Sequence, residues 1–508
     1  MTAYILAHDL GTSGDKATLY DREGRLCASA FQEYPTDYQP GGRVEQDAGE
    51  WWRAVCLTTR RLLQTSGAQP SQVACVVFSG HMQGVVAVDD QGMPLRRAII
   101  WADHRAEDQT ARLRERLGEE GFYRITGHRL SPTYSLPKIM WLRDHEPELY
   151  ARTHRFLHSK EAMIARLTGR FATEPSDATG TGLYDLAAGV WSGAILDASG
   201  IDPRTLPPIV ASTTVIGEVL PAAAEATGLR AGTPVVIGGG DGACASVGAG
   251  SVTPGVGYAY IGSSSWMATA TTQPLLDPGR RIVNFGHVIP GMVIPLGAMQ
   301  AAGGAYRWTR DQLGAAEEAL AQAAGTSVYE LLNATAEGTP PGANGLIFLP
   351  YLLGERAPRW NPRARGAFIG LTMQHTRAHL IRAVLEGVAF NLRAILTVLN
   401  DQGAGIESLR VIGGGSVGRF WRQIMADVFG IPLHRLTILE EATSMGAAVI
   451  GGVAVGMYPD FEMAQAMNPV ADVVSPDPAH RALYDEAAAI FEASYAALIP
   501  VFERMAKP

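Results

Sequence analysis

Near its start the chain contains Tyr4-Ile5-Leu6-Ala7-His8-Asp9-Leu10-Gly11-Thr12-Ser13-Gly14. A second β-like run, residues 17–20, follows, so the pattern predicts a strand, a tight turn and a strand. Gly11 and Gly14 permit a positive φ and leave room for a ligand. The turn offers hydroxyl and N–H donors that suit phosphates, and Asp9 brings a carboxylate that suits a metal–phosphate complex. An ordinary polar hairpin explains these residues equally well, so the rest of the chain has to decide.

Length and composition describe a large globular protein. The chain has 508 residues, too many for one hydrophobic core, so two or more domains are expected. Apolar residues make up 47% and charged residues 18%, a balance that excludes a disordered chain. The net charge of −8 argues against nucleic-acid binding, because no excess of basic residues is present to neutralise a phosphate backbone. A single nucleotide needs only a few local donors and is not excluded.

Cysteine usage and hydropathy indicate a cellular location. The four cysteines, Cys27, Cys56, Cys75 and Cys244, are scattered and form no Cys-x-x-Cys pair, which indicates reduced thiols. The N-terminus enters a strand without a basic segment, so no signal peptide is expected. The most apolar stretch, 445–457, is too short and too rich in glycine and alanine to span a bilayer. We therefore expect a cytoplasmic protein with no membrane partner.

Two predicted strands of the first half end in polar residues. Residues 73–78 are followed by Ser79-Gly80-His81-Met82-Gln83-Gly84, and residues 98–101 lead into Trp101-Ala102-Asp103-His104-Arg105. Loops at the carboxyl ends of buried strands are where α/β sheets place ligand contacts. Both loops are therefore candidate ligand sites. Before them, residues 35–50, rich in proline, glycine and polar side chains, are predicted to form a loop.

The middle of the chain repeats the form of its opening. Residues 234–237 predict a strand, and Gly238-Gly239-Gly240-Asp241-Gly242 follows, which brings backbone close to a ligand and presents Asp241 beside it. Residues 258–261 lead into Gly262-Ser263-Ser264-Ser265 and a further β-like run, 266–270. This second hairpin, about half a chain after the first, predicts a duplicated α/β architecture with two domains that face one another.

A third glycine run lies in the second half. Residues 409–412 predict a strand that ends in Gly413-Gly414-Gly415-Ser416, and residues 420–429 predict a helix. A strand, a glycine run and a helix start suit a phosphate or nucleotide, through free N–H groups and the helix dipole. Glycine is also common in ordinary turns, so this run is weak evidence by itself.

Together these features supply the parts of phosphoryl transfer: phosphate donors, a metal carboxylate and a positioned base. The sequence contains no GxxxxGK[ST], which excludes a P-loop enzyme. It has no GxGxxG after the first strand, which disfavours a Rossmann dehydrogenase. No cluster of histidine, cysteine and glutamate has the spacing of a zinc site.

A series of motifs, in order and spacing along nearly the whole chain, carries a family resemblance. The motifs are Asp9-Leu10-Gly11-Thr12-Ser13, Trp101-x-Asp103-x-Arg105, Pro137-Lys138 with Trp141, Gly239-Gly240-Asp241, Phe348-Leu349-Pro350-Tyr351, Gly354-Glu355-Arg356-x-Pro358, Gly366-x-Phe368-x-Gly370-Leu371, and Ile412-Gly413-Gly414-Gly415 followed by Trp421-Arg422-Gln423. With them the chain resembles the FGGY carbohydrate kinases of the actin/hexokinase/Hsp70 ATPase superfamily. Within that family it is most similar to xylulokinases.

The resemblance implies a fold and a reaction. The fold would be α/β, with two actin-like (ribonuclease H-like) domains flanking a catalytic cleft. ATP would be the phosphoryl donor, with Mg²⁺ held in part by Asp9. Asp241 would be the catalytic base, which accepts the proton of a sugar hydroxyl as its oxygen attacks the γ-phosphate. Because the transition state is loose, the orientation of that carboxylate matters more than its basicity.

The resemblance also implies which residues contact the ligands. The β- and γ-phosphates would bind Gly11, Thr12 and Ser13 of the first hairpin. Phosphate would bind Gly262, Ser263 and Ser264 from the other domain, and the α-phosphate and adenosine would lie against Gly413, Gly414 and Gly415. The sugar would lie near Met82, Gln83, Trp101, Asp103 and Asp241. For Asp103, a salt bridge with Arg105 or another basic residue is an equally open interpretation.

Two positions depart from the xylulokinase pattern. Gln83 stands where histidine is common, and Gly242 stands where asparagine is common. Both positions would touch sugar hydroxyls, and losing an imidazole and an amide changes which hydroxyl pattern is satisfied. The Asp-Gly pair is also similar to gluconate kinases of the family. D-xylulose, phosphorylated at its terminal hydroxyl, is the expected substrate, and gluconate or another ketose or polyol is the alternative.

The chain is expected to divide into two domains, and two alternative functions stay open. Residues 1–250 are predicted to carry the sugar site and the first hairpin, and residues 251–508 the nucleotide site. Relatives are often dimers, so a homodimer is an expected assembly. Two other functions stay open: a non-catalytic ATP-binding protein of the same superfold, and a dehydrogenase that binds a dinucleotide at 238–242. Asp241 beside the glycine run favours the kinase.

Overall fold

Two large mixed sheets, one in each half of the sequence, organise the fold. The computed structural model describes residues 3–505. The strands of the first half are β1 (Tyr4–Leu10), β2 (Gly14–Asp21), β3 (Leu26–Glu33), β4 (Asp37–Gln39), β5 (Arg43–Gln46), β6 (Val73–Gly80), β7 (Val86–Val88), β8 (Ala98–Ile99), β9 (Arg155–Leu157), β10 (Tyr184–Asp185), β11 (Val190–Trp191), β12 (Val215–Glu218) and β13 (Pro234–Gly240). Those of the second half are β14 (Gly257–Ile261), β15 (Ser265–Thr269), β16 (Val283–Gly286), β17 (Val293–Met299), β18 (Ile347–Leu349), β19 (Ala367–Ile369), β20 (Leu409–Ile412), β21 (Leu433–Leu436) and β22 (Val470–Val474).

Helices cover both sheets. In the first half they are α1 (Ala48–Ser66), α2 (Glu107–Leu117), α3 (Glu119–Thr126), α4 (Ser135–His145), α5 (Pro147–Arg152), α6 (Ser159–Thr168), α7 (Pro175–Gly180), α8 (Gly193–Ser199), α9 (Pro221–Thr227) and α10 (Asp241–Gly248). In the second half they are α11 (Gly303–Leu313), α12 (Ala315–Ala324), α13 (Val328–Glu337), α14 (Arg377–Asp401), α15 (Arg419–Phe429), α16 (Ala442–Ala454), α17 (Met463–Met467) and α18 (Arg481–Met505).

The two sheets share one strand order. The first sheet runs β12-β13-β6-β1-β2-β3. The second sheet, written in the matching direction, runs β22-β21-β20-β14-β15-β17-β16, with β16 as an additional edge strand. In the first, β1 pairs antiparallel with β2 and parallel with β6, which pairs parallel with β13. In the second, β14 pairs antiparallel with β15 and parallel with β20, which pairs parallel with β21. This repeat confirms the predicted duplicated α/β fold.

One segment was wrongly predicted. Residues 35–50, expected as a loop, contain β4 and β5, which form a three-stranded antiparallel sheet with β8. The polar composition reflects an exposed edge strand, since Tyr38 of β4 is exposed while Val44 of β5, the middle strand, is buried. The paired backbone, rather than apolar alternation, specifies this small sheet.

The longest apolar helix lies inside the protein. Of the described residues, α14 alone is long and apolar enough to cross a membrane, and 78% of its most apolar stretch is buried within the structure. It packs against α11, α15 and β18. It therefore forms the core of the second half.

Helices α10 and α16 join the two halves by close backbone contact. A Cβ added at Gly446 would lie 1.9 Å from the carbonyl oxygen of Cys244, and one at Gly248 would lie 1.8 Å from that of Ala442. Helix α16 also packs against β1 and β6 of the first sheet. The predicted boundary near residue 250 falls between α10 and β14, and it stays a prediction because α16 crosses back.

Gly446→Ala should therefore destabilise the protein. The added methyl group meets backbone, which cannot rotate away, and overpacking of this kind costs about 1–3 kcal/mol. Urea unfolding measures the change. The matched control is Gly121→Ala in α3, where nothing lies within 4 Å of the added Cβ and stability should hold or rise. Equal stabilities of the two variants would contradict the packing argument.

Candidate active site

Asp241 is the first residue of α10 and directly follows β13. Strand β13 lies unusually close to β6 there, because Gly238 has φ +74° and a Cβ on it would lie 1.8 Å from the carbonyl oxygen of Phe78. Asp241 Oδ1 accepts a bond of 2.8 Å from the Gly242 N–H. No donor among residues 3–505 reaches the other carboxylate oxygen, so Asp241 has one oxygen free to accept a proton.

The first hairpin places a second carboxylate in the same cleft. Asp9 lies at the end of β1, and its Oδ1 accepts a bond of 2.9 Å from the Ser79 hydroxyl at the end of β6. The turn is closed by the Gly11 N–H, which donates to the Gly14 carbonyl at 3.0 Å. Thr12 is half-buried and Ser13 is exposed. This predicted hairpin thus presents its donors at the carboxyl edge of the first sheet.

Burial perturbs the pKa of both carboxylates. Burial raises the pKa of Asp241 to about 7, and the negative charge of Asp9 adds to the rise. Burial also raises the pKa of Asp9 to about 6, although the bond from Ser79 opposes that rise. Perturbed carboxyls that meet in a cleft are typical of functional sites.

The second hairpin joins β14 to β15. The Gly262 N–H donates to the Ser264 carbonyl at 3.0 Å. Helix α11 begins beside this turn, and its first N–H groups donate to the carbonyls of Gly262 and Ser263. Arg307 of α11 also donates to the Ser263 hydroxyl at 2.5 Å. An exposed guanidinium group therefore lies beside the predicted phosphate donors.

The third glycine run packs directly against the second hairpin. Gly413 follows β20 with φ +86°, and a Cβ there would lie 2.7 Å from the Ile261 carbonyl oxygen. A Cβ on Gly415 would lie 2.4 Å from the Ile261 side chain. Gly414 begins a short 3₁₀ turn ahead of α15. Glycine is required here because β14 and the run approach so closely.

Aromatic side chains of β14 face the two carboxylates from the second half. The Tyr258 hydroxyl donates to the Gly242 carbonyl at 3.3 Å. Burial raises the pKa of Tyr260, and the charges of Asp9 and Asp241 raise it further. The structure therefore brings the predicted base, the predicted metal ligand and the second hairpin's strand to one cleft.

Met82 and Gln83 lie against the strand end that presents Asp241. Met82 is 9% exposed, and a Cβ on Gly240 would lie 2.6 Å from its sulfur. Gln83 has φ +66°, an uncommon conformation for a residue with a side chain. No partner among the described residues bonds the Gln83 side-chain amide. The amide is therefore free to bond a ligand, and Gln83 directly follows Met82, which packs on the residue before Asp241.

Trp101 connects its own loop, one of the predicted sugar-contact segments, to the first hairpin. Its indole N–H donates to the Thr12 hydroxyl at 2.9 Å, and the side chain is 41% exposed. An exposed ring tied to the predicted phosphate-binding turn suits a wall of a ligand site.

Asp103 lies behind that wall, fully buried. Its carboxylate accepts bonds from the Val44 N–H at 2.6 Å and from the Arg105 guanidinium at 2.7 Å. Both oxygens are engaged by the protein, as the salt-bridge interpretation expects. A direct sugar contact by Asp103 stays a prediction that would require this ion pair to open.

Lys138 holds three of these loops together. Its fully buried ammonium group donates to the carbonyls of Gln83 at 3.0 Å, Ile100 at 2.8 Å and Thr133. An ammonium group has three protons, and here three carbonyls receive them. The left-handed backbone of Gln83 and the residue before Trp101 are thus fixed by one side chain.

Sequence reasoning missed the basic residues next to the hairpins. Lys16 of β2 donates to the Glu440 carbonyl at 3.4 Å, across to the second half, and Arg307 contacts Ser263. The sequence did offer a signal for Lys16, because it lies only two residues after Gly14 of the first glycine-rich turn. Arg307 is distant in sequence from the turn it contacts, so only the fold reveals it.

The chain matches known proteins over nearly its whole length. The N-terminal domain model of the FGGY family of carbohydrate kinases matches residues 4–248, and the C-terminal domain model matches residues 257–455. The chain is 33% identical to the xylulose kinase of Bacillus subtilis (strain 168), covering 90% of each chain. It is 31% identical to the gluconokinase of the same organism, over 100% of this chain and 96% of that one. The crystal structure of gluconate kinase from Lactobacillus acidophilus superposes with a TM-score of 0.93, at 27% identity and 100% coverage of both chains. The protein therefore belongs to the FGGY family of carbohydrate kinases.

Proposed function

We propose that this carbohydrate kinase transfers the γ-phosphate of ATP to the terminal hydroxyl of D-xylulose, with Mg²⁺ as cofactor and Asp241 as catalytic base. The observation that carries the proposal is the meeting of Asp241 and Asp9 in one cleft between two phosphate-type hairpins. Xylulose kinases of about 33% identity over most of the chain support the sugar.

Asp241 has the chemistry of a general base. A pKa raised to about 7 brings the carboxylate near the working pH, where general bases are most effective. One oxygen is held by the Gly242 N–H, which fixes the plane of the group. The other oxygen accepts the hydroxyl proton as the sugar oxygen attacks the γ-phosphorus, whose bond to the bridging oxygen breaks so that ADP leaves.

Asp9 fits a magnesium site. Mg²⁺ is bound through one or two carboxylates plus substrate phosphates and waters, rather than by a full protein cage. Ser79 orients one oxygen of Asp9 and leaves the second without a protein donor among residues 3–505. When bound, Mg²⁺ neutralises charge on the β- and γ-phosphates. Asp9 would hold it, directly or through a water, beside Gly11, Thr12 and Ser13.

The second half would hold the nucleotide. Gly262, Ser263 and Ser264 offer N–H and hydroxyl donors to phosphate, and the Arg307 guanidinium adds a positive charge beside them. The run of Gly413, Gly414 and Gly415 leaves backbone exposed next to this hairpin, where adenosine and the α-phosphate would lie.

Charge pairing in the sugar loops favours a neutral sugar over an aldonate. The Lys138 ammonium group has its three protons bound to carbonyls, and the Arg105 guanidinium group is paired with Asp103 and Glu45. The ammonium group has no proton left for a carboxylate, and the guanidinium charge is already balanced by two carboxylates. The free amide of Gln83 can donate to and accept from hydroxyls. Gluconate is the second candidate, because the gluconate kinase structure superposes so closely.

Asp241→Asn should abolish sugar phosphorylation while ATP still binds. The amide keeps the size of the side chain but accepts no proton, and removing a general base costs about 10²–10⁴-fold in rate. Coupled ADP release measures turnover, and calorimetry measures ATP binding. Asp90→Asn, at an exposed aspartate, controls for loss of a negative charge. Near-normal turnover of Asp241→Asn would refute the base assignment.

Gln83→Ala should lower kcat/KM for the true sugar by about 10–100-fold and leave the KM for ATP unchanged, because an amide that reads hydroxyls is lost. ADP release across xylulose, ribulose, gluconate, glycerol and erythritol identifies the substrate. Xylulose should be preferred in the wild type. A preference for gluconate would overturn the charge argument, and no sugar-dependent ADP release would refute the kinase function.

Lys138→Met should raise the sugar KM about tenfold, equivalent to about 1.4 kcal/mol of binding, with the ATP KM unchanged. Amide exchange should quicken around Gln83, Ile100 and Thr133 together, since one ammonium group bonds all three carbonyls. Protection unchanged in any of the three segments would contradict this role.

A further inference from the structure

A continuous chain of buried polar side chains lies beneath Asp241 and the Gln83 loop, and the proposed reaction does not use it. Each member is at most 2% exposed. We name it the buried network, and its members are Ser135, His158, Lys160, Glu174, Ser176 and Asp177.

One end of the buried network holds the residue before the base. The Gly240 N–H donates to the Ser176 hydroxyl oxygen at 2.9 Å, and that hydroxyl donates to Glu174 Oε1 at 2.6 Å. Ser176 has a single proton, so its orientation is fixed by these two bonds. Because Gly240 directly precedes Asp241, the bond fixes the peptide from which the base projects.

A lysine neutralises the middle of the buried network. Lys160 Nζ lies 2.8 Å from Asp177 Oδ2 and 3.4 Å from Glu174 Oε1. Burial alone would raise the pKa of Asp177, but the positive charges of Lys160 and His158 bring it to about 2. Buried charges persist only when they are paired in this way.

The other end reaches the sugar-contact loop. His158 Nδ1 lies 3.0 Å from Asp177 Oδ1, and its Nε2 lies 2.8 Å from the Ser135 hydroxyl. The Ser135 hydroxyl donates to the Gly84 carbonyl at 2.7 Å, which leaves its oxygen to accept a proton from His158 Nε2. Burial alone would lower the pKa of His158, but the Asp177 carboxylate raises it above its usual range. Gly84 directly follows Gln83.

A metal site is the alternative use of these groups. His158, Glu161 and Asp177 offer ligand atoms within 4.8 Å of one another. A cation already occupies this place, because the Lys160 ammonium group lies 2.8 Å from Asp177 Oδ2. The adjoining cavity, lined in part by His158 and Glu161, has about 10 Å³, which is room for one water at most.

We propose that the buried network positions Asp241 relative to Gln83, with Ser176 as the positioning residue at the base. The base and the sugar-reading amide then keep a fixed relation, so that a hydroxyl bound at Gln83 meets an oriented carboxylate. This inference rests on the proposed role of Asp241.

Ser176→Ala tests the positioning role, with Ser212→Ala as its matched control. Both serines donate to Glu174, Ser212 at 2.9 Å to Oε2, but Ser176 also accepts the Gly240 N–H. We expect kcat to fall about tenfold in Ser176→Ala, with the KM for the sugar and the KM for ATP within twofold of the wild type. A tenfold fall corresponds to about 1.4 kcal/mol of transition-state stabilisation, lost because the base is no longer held in one orientation. Ser212→Ala should keep its kcat within twofold and show a comparable fall in melting temperature.

Two results would overturn the positioning role. A kcat of Ser176→Ala within twofold of the wild type would do so, and so would an equal loss of kcat in Ser212→Ala, because the effect would then come from disturbing Glu174 alone.

A double-mutant cycle tests the connection between the two ends. Ser135→Ala should raise the sugar KM, and in the Ser135→Ala/Ser176→Ala double variant the loss of kcat/KM should be smaller than the product of the single losses. Losses that multiply would show that the two ends act independently.

The failures of the two proposals are separable. If Asp241→Asn turns over normally, the base assignment fails. If Asp241→Asn is inactive while Ser176→Ala matches the wild type, only the positioning inference fails.

Discussion

The cleft depends on bringing two carboxylates together at one sheet edge. Asp9 ends β1 and Asp241 follows β13, and a single strand, β6, separates them in the sheet. Two strand spacings amount to roughly 10 Å, close enough for each charge to affect the other once water is excluded. Ser79 bonds the first carboxylate, and the Gly242 N–H bonds the second. A triphosphate would add further negative charge to this cleft, which is why a divalent cation suits the site.

The repeated sheet order explains why each half contributes a phosphate-type hairpin. In both sheets the hairpin joins the central strand to its antiparallel neighbour, so the turn emerges at the same edge as the ends of the parallel strands. The first half adds acidic side chains at these ends. The second half adds glycine backbone and Arg307. Under the proposed function, one architecture, used twice, would separate acid–base chemistry from nucleotide binding.

Much of this arrangement could be predicted from sequence because it is local. A glycine-rich turn after an apolar run marks a strand end, and the positions of Asp9, Asp241 and both hairpins followed from that rule. The strands at 37–46 could not be predicted, because their polar residues form a half-solvated sheet. The buried network was also hidden, since Lys160 and Asp177 look like surface residues until the fold removes them from water.

The interpretation of Asp103 shows the limit of motif reasoning at single side chains. The sequence placed it correctly in a loop beside the cleft, but its ion pair with Arg105 depends on which way a buried side chain turns. Lys138 is a similar case. Its sequence neighbours predict a helix, and only the fold reveals that its ammonium group meets carbonyls from three separate segments.

The contact between α10 and α16 has a mechanical consequence. The two helices approach each other backbone to backbone at Gly248 and Gly446. The axis of a rotation of one half against the other would pass near this contact, since α16 also packs on the first sheet. Asp241 is the first residue of α10, so it lies close to this axis and would move little in such a rotation. The rims of the cleft lie further from this contact, so the same rotation would move them over a bound substrate and leave the proposed base nearly in place.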